Sequence, residues 1–188
     1  MISIGILGDI GSGKSYVAKN FGYPIFNADH EVSKIYEKDK RIFYKLKKAL
    51  PNHIFSFPIK KKEISNAIIS NKFNLKKIIK IVHLEVRKKM NIFLKKNSHK
   101  KAVVLDIPLL LENRINKKKD ILIFVHSKKS DIIKKLKKRS NFNSKLFSKF
   151  RKIQLPLDYK RKKSKFIIKN NFTSESVKKE IKRIKKII

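Results

Sequence analysis

A chain of 188 residues, 41% hydrophobic and 10% aromatic, has enough apolar material for one well-filled core and too much for wholesale disorder. It contains no cysteine, which excludes disulfides, thiolate zinc sites and cysteine nucleophiles, and suits a reducing cytosol. Fifty Lys and Arg against fourteen Asp and Glu give a net charge of +36, which first suggests a nucleic-acid or anionic-membrane partner.

The make-up of that charge argues against the suggestion. Only seven of the basic residues are Arg and 43 are Lys, and residues 1–33 carry a net charge of −1. Nucleic-acid surfaces concentrate charge on one face and favour Arg for bidentate contacts. Lysine spread over almost every segment, beside abundant Ile and Asn, reads as compositional bias, so no specific nucleic-acid partner is expected. No stretch reaches the ~18 apolar residues of a membrane-spanning helix. The opening Met1-Ile2-Ser3-Ile4 lacks the basic start of a signal peptide and reads as a buried strand. The expectation is a cytoplasmic monomer with no membrane partner.

In chain order, Ile2–Leu7 is an apolar strand running into glycines, and Lys14–Phe21 can form a helix. Tyr23–Phe26 reads as a second short strand ending at Asn27-Ala28-Asp29. Residues 30–50 and 63–97 have helical periodicity, with Ile64, Ile68, Leu75, Ile78, Val82, Val86, Met90 and Phe93 at three- and four-residue intervals. Ala102–Leu105 and Ile121–Val125 are further apolar strands, with basic helical stretches at 130–139 and 143–155 after them. Phe166–Ile168 is a fifth strand, and a last helix begins near Ser174 and Glu175. Apolar strands joined by helices predict an α/β fold: a parallel five-stranded sheet covered on both faces, with a helical insertion between the second and third strands.

Gly8-Asp9-Ile10-Gly11-Ser12-Gly13-Lys14-Ser15 satisfies G-x-x-x-x-G-K-[ST] with a strand before it and a helix after it. Gly8, Gly11 and Gly13 let main-chain N–H groups turn inward around phosphates, and Ser12 belongs to the same turn. Lys14 reaches the β- and γ-phosphates, and Ser15 can set its hydroxyl on Mg²⁺. Asp29, just past the second strand, is placed either to orient an incoming hydroxyl or to cap the following helix. Asp106, at the end of the third strand, is either a magnesium-holding carboxylate or another loop cap. His83 by itself reads more readily as a hydrogen-bonded core histidine than as a functional one.

Gly5–Ser15 resembles the opening of the dephospho-coenzyme A kinases, usually GLTGGIGSGKS. Asn27-Ala28-Asp29 is similar to that family's DAD motif, His83-Leu84-Glu85-Val86 to its HPxV motif, and Asp106–Glu112 to its D-x-PLLxE segment. Arg139 and Gln154 fall at the family's lid spacing, with Arg151 also matching, and Phe166–Asn171 resembles its closing strand and VIxN turn. The resemblance covers nearly the whole chain. It implies a P-loop kinase fold that moves phosphate from ATP, with Mg²⁺, to the ribose 3′-hydroxyl of dephospho-coenzyme A. It further implies a single kinase domain with a core (1–59, 98–126 and 161–188), a helical substrate region (about 60–97) and a helical lid (about 127–160). Asp29 then corresponds to the general base, Arg139 to a lid arginine closing on phosphates, and Lys14 to the phosphate-binding lysine. Gly8, Gly11, Ser12, Gly13, Lys14, Ser15 and Tyr16 would bind ATP. Asp29, His83, Leu109 and Glu112 would bind the acceptor, and Ser15 and Asp106 the metal.

Five positions depart from the family pattern. Asn27 replaces the first Asp of DAD, Asp9 a glycine, Leu84 a proline, Lys135 the first lid Arg and Phe172 a turn glycine. Asp9 puts a carboxylate beside the phosphate site, and Lys135 keeps charge but lacks the planar fork of Arg. Two other readings stay open at this stage: a different small-molecule or nucleoside kinase with the same loop, and a nucleic-acid-stimulated ATPase using the basic surface.

Overall fold

The strands are apolar on both faces, so each must be buried on both sides, and a parallel sheet sandwiched by helices does this. The computed structural model of the chain describes residues 1–138 and 142–188. Within it β1 (Ile2–Gly8), β2 (Ile25–Asn27), β3 (Ala102–Asp106), β4 (Ile121–His126) and β5 (Phe166–Lys169) form one parallel sheet in the order β2-β3-β1-β4-β5. The side-chain period of two assigns the faces. Ile4 and Ile6 join Val104, Ile123, Val125 and Ile168 on one face, closed by α1 (Lys14–Asn20) and α9 (Ser174–Lys185) through Val17, Phe21, Val177, Ile181 and Ile184. On the other face a Cβ at Gly5 would collide with Leu110 and Leu122. There α8 (Leu157–Lys163) packs against β1 and β4. The five-stranded α/β prediction holds.

The chain divides into two compact units. One contains the sheet: Met1–Asn27, Phe93–Phe142 and Gln154–Ile188. The other, Ala28–Ile92 with Asn143–Ile153, is helical: α2 (Ala28–Lys38), α3 (Lys40–Ala49), α4 (Lys61–Ser70), most of α5 (Asn74–Lys96) and α7 (Ser144–Lys152). Its interior is Ile35, Ile42, Leu46, Ile54, Ala67, Ile68, Val82 and Val86, all nearly water-free. α4 and α7 pack together, with Lys149 Nζ donating to the Ile69 carbonyl at 3.0 Å.

Three helical predictions need correction. Residues 30–50 are two helices, because Asp39 adopts an extended conformation and its carboxylate takes the Arg41 and Ile42 amides as the N-cap of α3. Residues 63–97 are also two. Asn71 leaves the helix in an extended conformation and its side chain accepts the Phe73 amide. The stretch predicted over 143–155 stops at Lys152, and α8, absent from the sequence reading, follows Pro156. The basic helix predicted at 130–139 is α6 (Lys129–Lys137).

Candidate active site

Gly8–Ser15 turns at the carboxyl ends of the strands, where ligands of open α/β sheets gather. Gly8, Gly11 and Gly13 have φ of 149°, 84° and 88°, in the region that disfavours side chains. At Gly13 the need is steric as well, since a Cβ would run into the Asn170 amide nitrogen. The Ser12 N–H donates to Asp9 O at 3.2 Å, curling the loop, and Lys14 Nζ folds over it to Asp9 O at 2.7 Å and Gly8 O at 3.4 Å. The Asp9 side chain bonds locally: its Oδ1 accepts the neighbouring Ile10 N–H at 2.7 Å. The Ser12 carbonyl accepts two hydrogen bonds, from Asn170 Nδ2 at 2.9 Å and Ser127 Oγ at 3.0 Å. The Ser12 hydroxyl is fully buried and finds no hydrogen-bond partner among the described residues. Ser15 and Tyr16 open the helix beyond and are exposed.

Asp106 ends β3, 3% exposed, in register with Asn27 at the end of β2, and its Oδ2 accepts the Asn27 amide at 2.7 Å. Where two carboxylates would repel, an amide donor satisfies one oxygen of the buried acid. Leu109 lies in the coil after β3 with its carbonyl tied to Asn113 N–H and Nδ2. Glu112 closes that coil. Its Oε1 accepts the ammonium of Lys160 at 2.7 Å and the Leu155 N–H at 3.0 Å, and Lys160 also donates to Gln154 Oε1 at 3.3 Å. The Lys160 and Glu112 side chains are 1% and 8% exposed, and Glu112 Oε2 is buried with no partner among the described residues. Sequence reasoning placed Glu112 and Gln154 but missed Lys160. One lysine among 43 carries no local signal that it is buried.

In the helical unit Asp29 is exposed in the first turn of α2. The helix begins at Ala28, one residue before it. His83, on α5, is half-buried. Loss of hydration, followed by the nearby Arg87 charge, lowers its pKa and favours the neutral ring. Arg139 lies outside the described residues. The glycine loop, Asp106, Leu109 and Glu112 all belong to the sheet unit, whereas Asp29 and His83 belong to the helical unit.

The dephospho-CoA kinase family profile matches residues 2–176. A dephospho-CoA kinase of Wolbachia sp. subsp. Brugia malayi is 34% identical over 186 residues, covering 96% of this chain and 95% of its own. That of Bartonella quintana is 32% identical over 170 residues, covering 88% and 87%. Among solved structures, TT1252 from Thermus thermophilus superposes with a TM-score of 0.77 at 25% identity, covering 99% of this chain and 96% of that one. A dephospho-CoA kinase from Campylobacter jejuni superposes with a TM-score of 0.63 at 20% identity, covering 98% and 96%.

Proposed function

The chain belongs to the dephospho-CoA kinase family, and from that premise we propose how its own residues divide the work. The enzyme moves the γ-phosphoryl group of ATP to the ribose 3′-hydroxyl of dephospho-coenzyme A, giving coenzyme A and ADP, the last step of coenzyme A synthesis. In our reading the main-chain amides of Gly8–Ser15 hold the triphosphate, with Tyr16 next to them. Lys14 follows the charge as it shifts from the γ-phosphate to the departing β-phosphate oxygen. Asp29 accepts the 3′-hydroxyl proton as the new O–P bond forms in line with the one that breaks. His83, Leu109 and Glu112 contact the acceptor, and Arg139 closes over the phosphates. In this assignment about 60–97 recognises the acceptor and about 127–160 forms the lid. Cytoplasmic placement goes with it, since a cysteine-free composition suits a reducing compartment.

The donor chemistry fits a magnesium ion. Asp106 offers a buried carboxylate and Ser15 a hydroxyl, oxygen ligands of the kind a hard cation takes. Bound there with ATP, the ion would neutralise charge on the β- and γ-phosphates. Asn27 keeps Asp106 in a fixed rotamer through the 2.7 Å hydrogen bond, and so orients a ligand without adding a second negative charge.

The observation that supports the reading best is the curled glycine loop, with three glycines at positive φ and the Lys14 ammonium folded across it. The test is ATP consumption with and without dephospho-coenzyme A at moderate salt, beside a panel of nucleosides, nucleotides and shikimate. Turnover confined to dephospho-coenzyme A is expected. Preference for another acceptor, or stimulation by nucleic acid alone, would overturn it.

A further inference from the structure

The Ser12–Gly13 peptide is held from outside the loop. Because a peptide unit is planar and trans, its C=O and N–H point in opposite directions, so whatever grips one aims the other. The Ser12 carbonyl is gripped twice, by Asn170 Nδ2 at 2.9 Å and by Ser127 Oγ at 3.0 Å. These donors come from sequence positions 158 and 115 residues away and stand side by side because β4 and β5 are in register. The pair His126↔Lys169 ends the ladder, and Ser127 and Asn170 are the next residue on each strand.

Asn170 is itself fixed. It is 2% exposed, its Oδ1 accepts the Phe172 N–H at 2.9 Å, and its own N–H donates to His126 O at 2.8 Å. Turning its amide over would set oxygen against the Ser12 carbonyl and nitrogen against the Phe172 N–H. Only the observed orientation satisfies both. The missing side chain at Gly13 leaves the space that the Asn170 amide fills.

We infer that Asn170 and Ser127 are positioning residues for phosphoryl transfer. By pinning the Ser12 carbonyl outward they hold the Gly13 N–H inward, aimed at the phosphate chain before ATP arrives. Preorganised donors avoid a reorganisation cost on binding, which is where this pair acts. The inference rests on the reading that Gly8–Ser15 hold the triphosphate. It adds two residues from remote strand ends that act through the Ser12–Gly13 peptide.

The test is titration calorimetry with ATP and with inorganic tripolyphosphate on the wild type, Ser127→Ala, Ser127→Thr, Asn170→Ala, the Ser127→Ala/Asn170→Ala double variant and Lys14→Ala. Alongside it runs the amide resonance of Gly13. One neutral hydrogen bond corresponds to a loss of about two- to twelvefold in affinity for each alanine variant. The double variant should lose more than the product of the two, because either donor alone still restrains the peptide. Ser127→Thr, which keeps the hydroxyl, should restore affinity, and the Gly13 resonance should move in the alanine variants only. Dephospho-coenzyme A binding should stay put. A double variant that binds tripolyphosphate as tightly as either single variant would overturn the inference, as would equal losses for the acceptor. Should Asn170→Ala fail to fold, the half-buried Ser127 pair decides alone. Unchanged tripolyphosphate binding by Lys14→Ala would instead sink the reading of the loop, whereas loss in Lys14→Ala with none in the double variant would sink only this inference.

Discussion

Replacing Lys160 by Met leaves the Glu112 carboxylate in a place built for an ion pair. Both side chains are nearly water-free, with 2.7 Å between Nζ and Oε1, and water cannot take over the role of the ammonium. One Glu112 oxygen already has no partner among the described residues, so only the Leu155 N–H would remain to hold the charge. Removing one partner of a buried pair costs about 3–5 kcal/mol, most of it the penalty of the stranded charge. For a chain of this size that is a fall in melting temperature of about 6–20 °C, at about 2–4 °C for each kcal/mol. Changing Glu112 to Gln in the same protein removes the charge and keeps an acceptor for the Leu155 amide, so the double variant should recover a large part of the loss. Urea unfolding of the wild type, both single variants and the double variant at two ionic strengths measures this. The destabilisation should be nearly independent of salt, because buried charges are weakly screened. A Lys160→Met cost below about 1 kcal/mol, the level of an exposed pair, would refute the argument. So would single-variant costs that simply add in the double variant.

Lys14→Ala should abolish turnover, and Asp29→Asn should lower kcat by about 10²- to 10⁴-fold with ATP affinity intact, as expected for loss of a general base. Near-normal turnover by Asp29→Asn would remove it from the mechanism. Asp9→Gly takes a carboxylate away from the phosphate loop and should lower the KM for ATP, and a raised KM would show that its hydrogen bond to the Ile10 amide matters more than its charge. The pKa of His83 is lowered in the fold, first by desolvation and then by Arg87, so the unfolded chain binds the proton more readily. Stability should therefore rise with pH through the region at and below the ordinary value of 6.5, and His83→Gln should flatten that rise in thermal melts from pH 5 to 7. Glu63 acts in the same sense in a more acidic window, because its pKa too is lowered in the fold. Burial works against its ionised form but is outweighed by hydrogen bonds from Ser56 Oγ and the Phe55 and Ser56 amides, so its pKa lies below the ordinary 4.5. Its contribution is present above that value and lost as pH falls below it, and Glu63→Gln should shallow the acid limb of the same melts.

The residue order alone determined the strands and the phosphate loop, because both are local signals. An unbroken apolar run must be buried on both faces, and glycines at fixed offsets before Lys-Ser leave the chain little choice but to curl. Helix limits were less legible. Asp39 and Asn71 interrupt the apolar stripes of α2–α3 and α4–α5 without breaking their period, and α8, with four of its seven residues Lys or Arg, looks like the rest of a lysine-rich surface. Only tertiary structure decided which of 43 lysines is buried, since a charge enters the interior only when a carboxylate such as Glu112 meets it there. It also decided that Ser127 and Asn170 converge on the Ser12 carbonyl, because strand register places side by side residues that the sequence keeps far apart.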